Sequence, residues 1–157
     1  MGLEIERKFR VANDNWRANA HASQQFQQGY LCGDGPASVR VRVEGEGANL
    51  NIKAAEIGTA RAEYEYPIAL SEAREILDTL CIAPPVIKTR YWVEHAGHTW
   101  EIDVFEGENA PLVIAEIELD TVEESFETPD WLGAEVSDDA RYYNHALAFH
   151  PYARWAE

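Results

Sequence analysis

Gly2-Leu3-Glu4-Ile5-Glu6-Arg7-Lys8-Phe9 is the stretch whose reading decides the fold. Glu4, Glu6 and Lys8 fall at every second position, with Leu3, Ile5 and Phe9 in between. Successive side chains of a β-strand point to opposite faces, so this alternation puts two carboxylates and an ammonium on one face and apolar groups on the other. A half-buried surface strand alternates in the same way. The later segments therefore carry the decision.

They repeat the pattern with charge. Residues 38–44 (SVRVRVE) set Arg40 and Arg42 against Val39, Val41 and Val43, and residues 50–53 return with Lys53 on the polar face. Residues 60–68 oppose Arg61, Glu63 and Glu65 to Ala62, Tyr64 and Tyr66. Lys88 and Arg90 alternate with Ile87, Thr89 and Tyr91 in 86–95; Glu101 and Asp103 with Trp100, Ile102 and Val104 in 98–106. Glu116 and Glu118 alternate with Ile117 and Leu119 in 112–120. With 24–31, which places Phe26 and Tyr30 on one parity, this makes eight strands.

Three short helices are expected between them. The first is capped by Asn13 or Asp14 and runs to about His21. The second runs from Ser71 to about Leu80 before Pro84-Pro85, and the third from Ser137, with Asp138 and Asp139 in its first turn, to Pro151. Residues 121–136 read as loop, anchored by Trp131. Short antiparallel connections favour a sheet that closes on itself, so the expected fold is mainly β (α+β): an eight-stranded antiparallel barrel whose interior packs solid or holds one small ligand.

Which face is inside follows from the charges. A solvated β face is usually stocked with Thr, Ser and Asn, whereas these polar positions hold ionised groups sorted by strand. Glu4/Glu6, Glu63/Glu65, Glu101/Asp103 and Glu116/Glu118 are acid pairs; Arg40/Arg42 and Lys88/Arg90 are basic pairs, joined by Lys8 and Lys53. Same-face neighbours two apart sit roughly 6–7 Å from each other. At an effective dielectric near 20, like charges at that distance repel by about 2–3 kcal/mol. Such pairs make sense around a cavity whose contents use the field, and an open solvated sheet is the competing reading. Inward charge turns the apolar face outward. Three short helices are too few to cover it, so a Trp- and Tyr-rich patch and self-association, a homodimer, are expected.

Bulk properties agree with a single domain spanning 1–157, of 157 residues with 46% apolar and 26% charged residues. No apolar run approaches a membrane span, and charges stand where a signal peptide needs apolar residues, so a cytoplasmic protein without a membrane partner is expected. Cys32 and Cys81 read as reduced thiols. A net charge of −15 argues against nucleic acid as partner but leaves room for an anion in a locally basic pocket. His95 and His98 flank a hairpin turn; His21, His145 and His150 fall on expected helices without metal-ligand spacing. Acid pairs and basic pairs facing one cavity suit a chain of phosphates bound with Mg²⁺ or Mn²⁺: magnesium takes oxygen ligands, Arg binds phosphate bidentately, and Lys binds it as a point charge.

These residues resemble a known family. Glu4-Ile5-Glu6-Arg7-Lys8 is similar to the ExExK signature of the CYTH superfamily, the triphosphate tunnel metalloenzymes. Arg40-x-Arg42, Lys53, Glu63-x-Glu65, Lys88-x-Arg90, Glu101-x-Asp103 and Glu116-x-Glu118 follow in the family's order. Residues 131–137 (WLGAEVS) and Tyr143-Asn144-x-x-Leu147-Ala148 resemble its C-terminal segment. The resemblance implies an eight-stranded tunnel acting on triphosphates. It implies Glu4, Glu6, Glu116 and Glu118 for the metal, and Lys8, Arg40, Arg42, Lys53, Lys88 and Arg90 for phosphates. Glu63, Glu65, Glu101 and Asp103 would be supporting acids. Tyr30 and Lys88 match a Tyr–Lys pair beside the attacking water in small bacterial members. Compact length and the N-terminal run resemble the bacterial inorganic triphosphatase branch, which implies hydrolysis of inorganic tripolyphosphate to pyrophosphate and phosphate. Adenylate cyclisation, hydrolysis of a nucleoside or thiamine triphosphate, and a non-catalytic polyphosphate-binding module are the alternatives.

Overall fold

The computed structural model describes residues 2–155. Nine strands are found among them: β1 (Leu3–Val11), β2 (Ala20–Tyr30), β3 (Ala37–Glu44), β4 (Gly47–Ala54), β5 (Ala60–Pro67), β6 (Val86–His95), β7 (His98–Phe105), β8 (Val113–Glu118) and β9 (Leu132–Glu135). Two α-helices accompany them, α1 (Leu70–Thr79) and α2 (Asn144–Phe149), with four short 3₁₀ turns. The order β5-β4-β3-β2-β6-β7-β8-β1 is antiparallel throughout, and β5 pairs back onto β1 to close an eight-stranded barrel.

β1 is the seam. One edge pairs with β8 from Glu6 to Arg10. The other is divided: Leu3, Glu4 and Ile5 face β5, while Phe9 and Val11 face β9. The ninth strand thus covers the part of β1 that β5 leaves bare, inside the segment expected to be loop. Four residues with Gly133 among them carry little alternation, and only the open edge of β1 makes them a strand. Gly133 lies so close to β1 that a Cβ there would stand 2.9 Å from the Arg10 carbonyl oxygen.

All three expected helices start elsewhere or shorten. The Ser137 hydroxyl accepts from the Lys8 backbone N–H (2.9 Å) and donates to Glu135 (2.7 Å), so it ties the chain to β1 instead of capping a helix. Asp139 caps a 3₁₀ turn at Ala140–Tyr142, and α2 begins only at Asn144. Ser71 lies inside α1, whose N-cap is Ala69. The first expected helix shrinks to a 3₁₀ turn at Asn15–Asn19, because β2 starts at Ala20 to pair with β6 along its length. His21 is consequently a strand residue.

The barrel is packed from outside. Phe9, Trp16, Val93, Trp100, Ile102, Ala115, Ile117, Leu119 and Trp131 form one buried cluster, with Phe126 against it. Val41, Val43 and Ala48 are buried beneath Ala73 of α1. Trp16, Trp100 and Trp131 are at most 2% exposed, which corrects the expectation of an open Trp-rich patch. The 3₁₀ turn around Trp16, the segment carrying Phe126 and Trp131, and α1 supply the cover. Leu3, Tyr64 and Tyr66 are still exposed, on β1 and β5.

Candidate active site

With the apolar face turned outward, the charged faces converge on a cavity of about 370 Å³. Its walls carry Glu4, Glu6 and Lys8 from β1, Tyr30 from β2, and Arg40 and Arg42 from β3. Lys53 from β4, Glu63 and Glu65 from β5, Lys88 and Arg90 from β6, Glu101 from β7, and Glu116 and Glu118 from β8 complete the set expected from the sequence. Asp103 is the exception. It is fully buried behind the wall, where it takes a fork from Arg90 (Nε–Oδ1 2.7 Å, Nη2–Oδ2 2.9 Å) and a bond from Lys88 Nζ (2.6 Å).

Register sorts the charges into an acidic seam and a basic wall. Across β1 and β8, Glu6 stands opposite Glu118 and Lys8 opposite Glu116; across β7 and β8, Glu101 stands opposite Glu116. Like charges directly opposite destabilise a sheet. Burial first, then Glu116 and Glu4, push the Glu6 carboxyl well above its ordinary value. Glu118 is raised by burial and by Glu4, Glu101 and Glu63. Burial also works against ionised Glu116, but Lys8, Glu6 and Arg90 outweigh it and hold that carboxyl low. Of this pair Glu6 is the carboxyl whose proton is held more tightly and Glu116 the one that favours ionisation.

Four carboxylates on two adjacent strands form the oxygen-only donor set that hard divalent cations prefer. Their chemistry fits such an ion, although among the described residues no three acids converge on one point. Lysines occupy the gaps: Lys53 Nζ lies 2.9 Å from Glu4, and Lys8 Nζ lies 3.2 Å from Glu116.

The basic wall is less well neutralised. Arg40 and Arg42 are both buried. Among the described residues Arg40 pairs only with Glu65, at 3.9 Å, and its Nε is buried without a partner. Arg42 makes no ion pair among the described residues; its Nε donates to Gln28 (3.1 Å), and burial, with Arg40 and Arg90 nearby, lowers its pKa to about 9. The Phe26 ring lies under both Arg42 and Arg90, at 4.6 and 5.0 Å. Two buried guanidiniums short of counter-charge are a ready receptor for an anion.

Lys88 is also buried. Desolvation and the nearby Arg90 and Arg42 lower its pKa to about 7, against the pull of Asp103 and Glu116. Asp103, which also takes the Arg90 fork, restrains the drop only partly.

Sequence reasoning passed over several residues of the cavity. Arg61 shares the charged parity of β5, and its guanidinium lies 4.8 Å from the Tyr143 ring and 3.9 Å from Glu4. Tyr143, Asn144 and His145, at the start of α2, also line the cavity, with Tyr143 against Lys8 and Arg61 and Asn144 against Lys88. His145, expected on a helix without metal-ligand spacing, packs its ring 5.0 Å from Tyr30 and sets Nε2 3.0 Å from the Cys32 carbonyl. A second hollow shares Trp92, Glu101 and Glu118 with the cavity and is lined also by Asp120 and Glu124.

A closed antiparallel barrel with a tunnel of opposed acid and base walls is the class that fold and site define. The profile of the CYTH domain matches residues 2–144, and the chain belongs to that family. It is similar to a protein named inorganic triphosphatase from Acetivibrio thermocellus, 46% identical over 157 residues covering all of both chains. An inorganic triphosphatase from Nitrosomonas europaea is 37% identical over 149 residues, 92% of this chain and 96% of that one. A solved structure described as an inorganic triphosphatase superposes with a TM-score of 0.68 at 33% identity, covering 92% of this chain and 97% of its own.

Proposed function

We propose that this chain is a divalent-metal-dependent hydrolase that converts inorganic tripolyphosphate to pyrophosphate and phosphate inside its tunnel. The observation that carries the reading is the pair of buried, under-neutralised guanidiniums Arg40 and Arg42 facing a seam of four carboxylates. The names of the two relatives point to the same substrate class. Glu4, Glu6, Glu116 and Glu118 would hold Mg²⁺ or Mn²⁺, which supplies charge neutralisation to the phosphate oxygens when bound.

The chain's own residues do the rest. Arg40, Arg42, Lys8, Lys53 and Arg90 bind and align the phosphates, with Glu63, Glu65 and Glu101 holding the wall charges in place. Asp103 fixes Arg90 and Lys88 from behind. Neutral Lys88 takes a proton from the attacking water as its oxygen bonds to the terminal phosphorus. The bond from that phosphorus to the bridging oxygen breaks, and pyrophosphate leaves. Tyr30 donates a hydrogen bond to the reacting phosphate. Phosphoryl transfer depends mainly on such positioning and charge stabilisation.

Phosphate release from tripolyphosphate, ATP and thiamine triphosphate with Mg²⁺ or Mn²⁺, with cyclic AMP measured alongside, tests the reading. Preference for tripolyphosphate supports it. Cyclic AMP formation, or binding without release, would replace it with a cyclase or a binding module.

Arg40→Ala is expected to raise KM about 10- to 100-fold with kcat within a few-fold, the scale of one charge-assisted hydrogen bond. An unaltered KM in steady-state assays would mean that the phosphates lie elsewhere.

The same reading makes the protein a cytoplasmic homodimer. Its two free cysteines suit a reducing compartment, and exposed Leu3, Tyr64 and Tyr66 offer an apolar face to a second copy. Sedimentation at micromolar concentration should give a dimer, and the double variant Tyr64→Glu, Tyr66→Glu a monomer. A monomeric wild-type chain would remove the proposal.

A further inference from the structure

Between Tyr30 and Lys88 lies a pair of side-chain amides. Gln28 is fully buried on β2. Its Nε2 donates to Tyr30 Oη (3.0 Å) and to Asn144 Oδ1 (3.2 Å), while its Oε1 accepts from Arg42 Nε (3.1 Å). Asn144 Oδ1 also accepts from Lys88 Nζ, at 2.8 Å. Amide oxygen and nitrogen are told apart by their partners, and here the partners leave no choice. Guanidinium can only donate, so Gln28 must turn its oxygen to Arg42 and its nitrogen to Tyr30 and Asn144. With Gln28 fixed in this way its Nε2 donates to Asn144, so Asn144 must turn its oxygen inward, where it also accepts from Lys88 Nζ.

Two consequences follow from counting hydrogens. Tyr30 Oη accepts from Gln28, so the phenol's single hydrogen is left for another acceptor, and Tyr30 lines the cavity. Lys88 donates to Asp103 Oδ2 (2.6 Å) and Asn144 Oδ1 (2.8 Å). A neutral amine has two hydrogens, so these acceptors occupy both and the lone pair is left over. Lys88 also lines the cavity.

We infer that Gln28 and Asn144 are positioning residues: an amide bridge, polarised from Arg42 at one end and Lys88 at the other, that commits the Tyr30 hydrogen and the Lys88 lone pair to the ligand in the tunnel. Neither amide touches the reacting atoms in this scheme. The inference rests on the hydrolytic reading above for its consequence in turnover, but the bridge itself is testable without turnover.

The first experiment is an NMR titration of the Lys88 ε-CH₂ in the full chain, wild type and Asn144→Asp. The charged groups around Lys88 are Asp103 from β7, Glu116 from β8, Arg90 on its own strand and Arg42 from β3, with the Tyr30 phenol on β2. A carboxylate in place of the Asn144 amide favours the ammonium, so the Lys88 midpoint should rise by about one pH unit or more. An unchanged midpoint would overturn the bridge, whatever the protein hydrolyses.

The second is steady-state hydrolysis of tripolyphosphate by Asn144→Ala and Gln28→Glu. Asn144→Ala should lower kcat about 10- to 100-fold, with KM within about twofold. Gln28→Glu keeps shape and the contact to Arg42 but cannot donate, so Tyr30 must turn its hydrogen to the new carboxylate; kcat at saturation should fall on the same scale. A merely structural role predicts kcat close to wild type in every variant that folds, as checked by circular dichroism, and that result would overturn the positioning role. Wild-type protein inactive on every triphosphate would sink the hydrolytic reading and the positioning role with it, while the titration would still decide the bridge.

Discussion

Glu6→Gln is expected to lower metal-dependent turnover about 10²- to 10³-fold while making the metal-free protein more resistant to heat. Both effects have one cause. Glu6 faces Glu118 across β1 and β8 and lies beside Glu4 and Glu116, and burial raises its carboxyl well above the ordinary value. Its folded state therefore holds a proton more tightly than the unfolded chain does. Below the unfolded value near 4.5 this costs nothing; the penalty grows as pH rises from there towards the folded value. Gln keeps the shape without the charge and removes the penalty. A gain of about 1 kcal/mol corresponds to a Tm rise of about 2–4 °C for a chain of this size. A cation in the seam relieves the same repulsion, so wild-type Tm should climb with added Mn²⁺ and the variant's much less. Thermal melts with and without metal, read beside phosphate release, check the pair of effects. Unchanged turnover would move the metal off this seam; a lower Tm in the metal-free variant would mean that repulsion is not what the seam stores.

The seam was legible because charge alternation leaves a mark at fixed spacing. Glu4, Glu6, Arg40, Arg42, Glu116 and Glu118 occupy the positions that their parity on a strand assigns, and they meet in the cavity. Turning the rule around places the Val and Ile positions outside, where Val41 and Ile117 are buried. What failed were features that exist only in the assembled barrel. β9 needs the bare edge of β1, and Ser137 is drawn from a helix cap to the Lys8 N–H by the same edge. Helices alone leave the Trp-rich face uncovered, and much of the cover is irregular chain around Phe126 and Trp131, which has no periodic pattern to read. Asp103 shares the parity of Glu101, yet Arg90 and Lys88 close over it. Gln28 left no signal of its own and Asn144 only its place in a family-like run, with no role attached; a neutral amide between two cations has meaning only once the cations are placed.

Lys88→Met is expected to reduce kcat about 10²- to 10⁴-fold, the range for loss of a general base, and to abolish the acid limb of the pH–rate profile. Burial, with Arg90 and Arg42 beside it, brings the Lys88 pKa to about 7. Below that pH the amine is protonated and has no lone pair to accept water's proton. In the wild-type enzyme kcat should therefore rise with pH through an inflection near 7 and level off above it. Asp103 opposes this lowering, and its carboxylate lies 2.6 Å from Nζ. Asp103→Asn should move the inflection to lower pH, since the ammonium loses its nearest counter-charge while Arg90 and Arg42 stay. Phe105 and Phe26 pack around the amine, at 5.5 and 6.0 Å from their ring centroids, so Met should fill the space without opening a cavity. Metal-ion binding measured by calorimetry should survive in Lys88→Met, because none of the four seam carboxylates touches Nζ among the described contacts. The outcome that breaks the assignment is specific: a Lys88→Met protein that binds metal and tripolyphosphate normally and still shows the inflection near pH 7. The proton would then pass to another group, and Lys88 would be only one more cation on the phosphate wall.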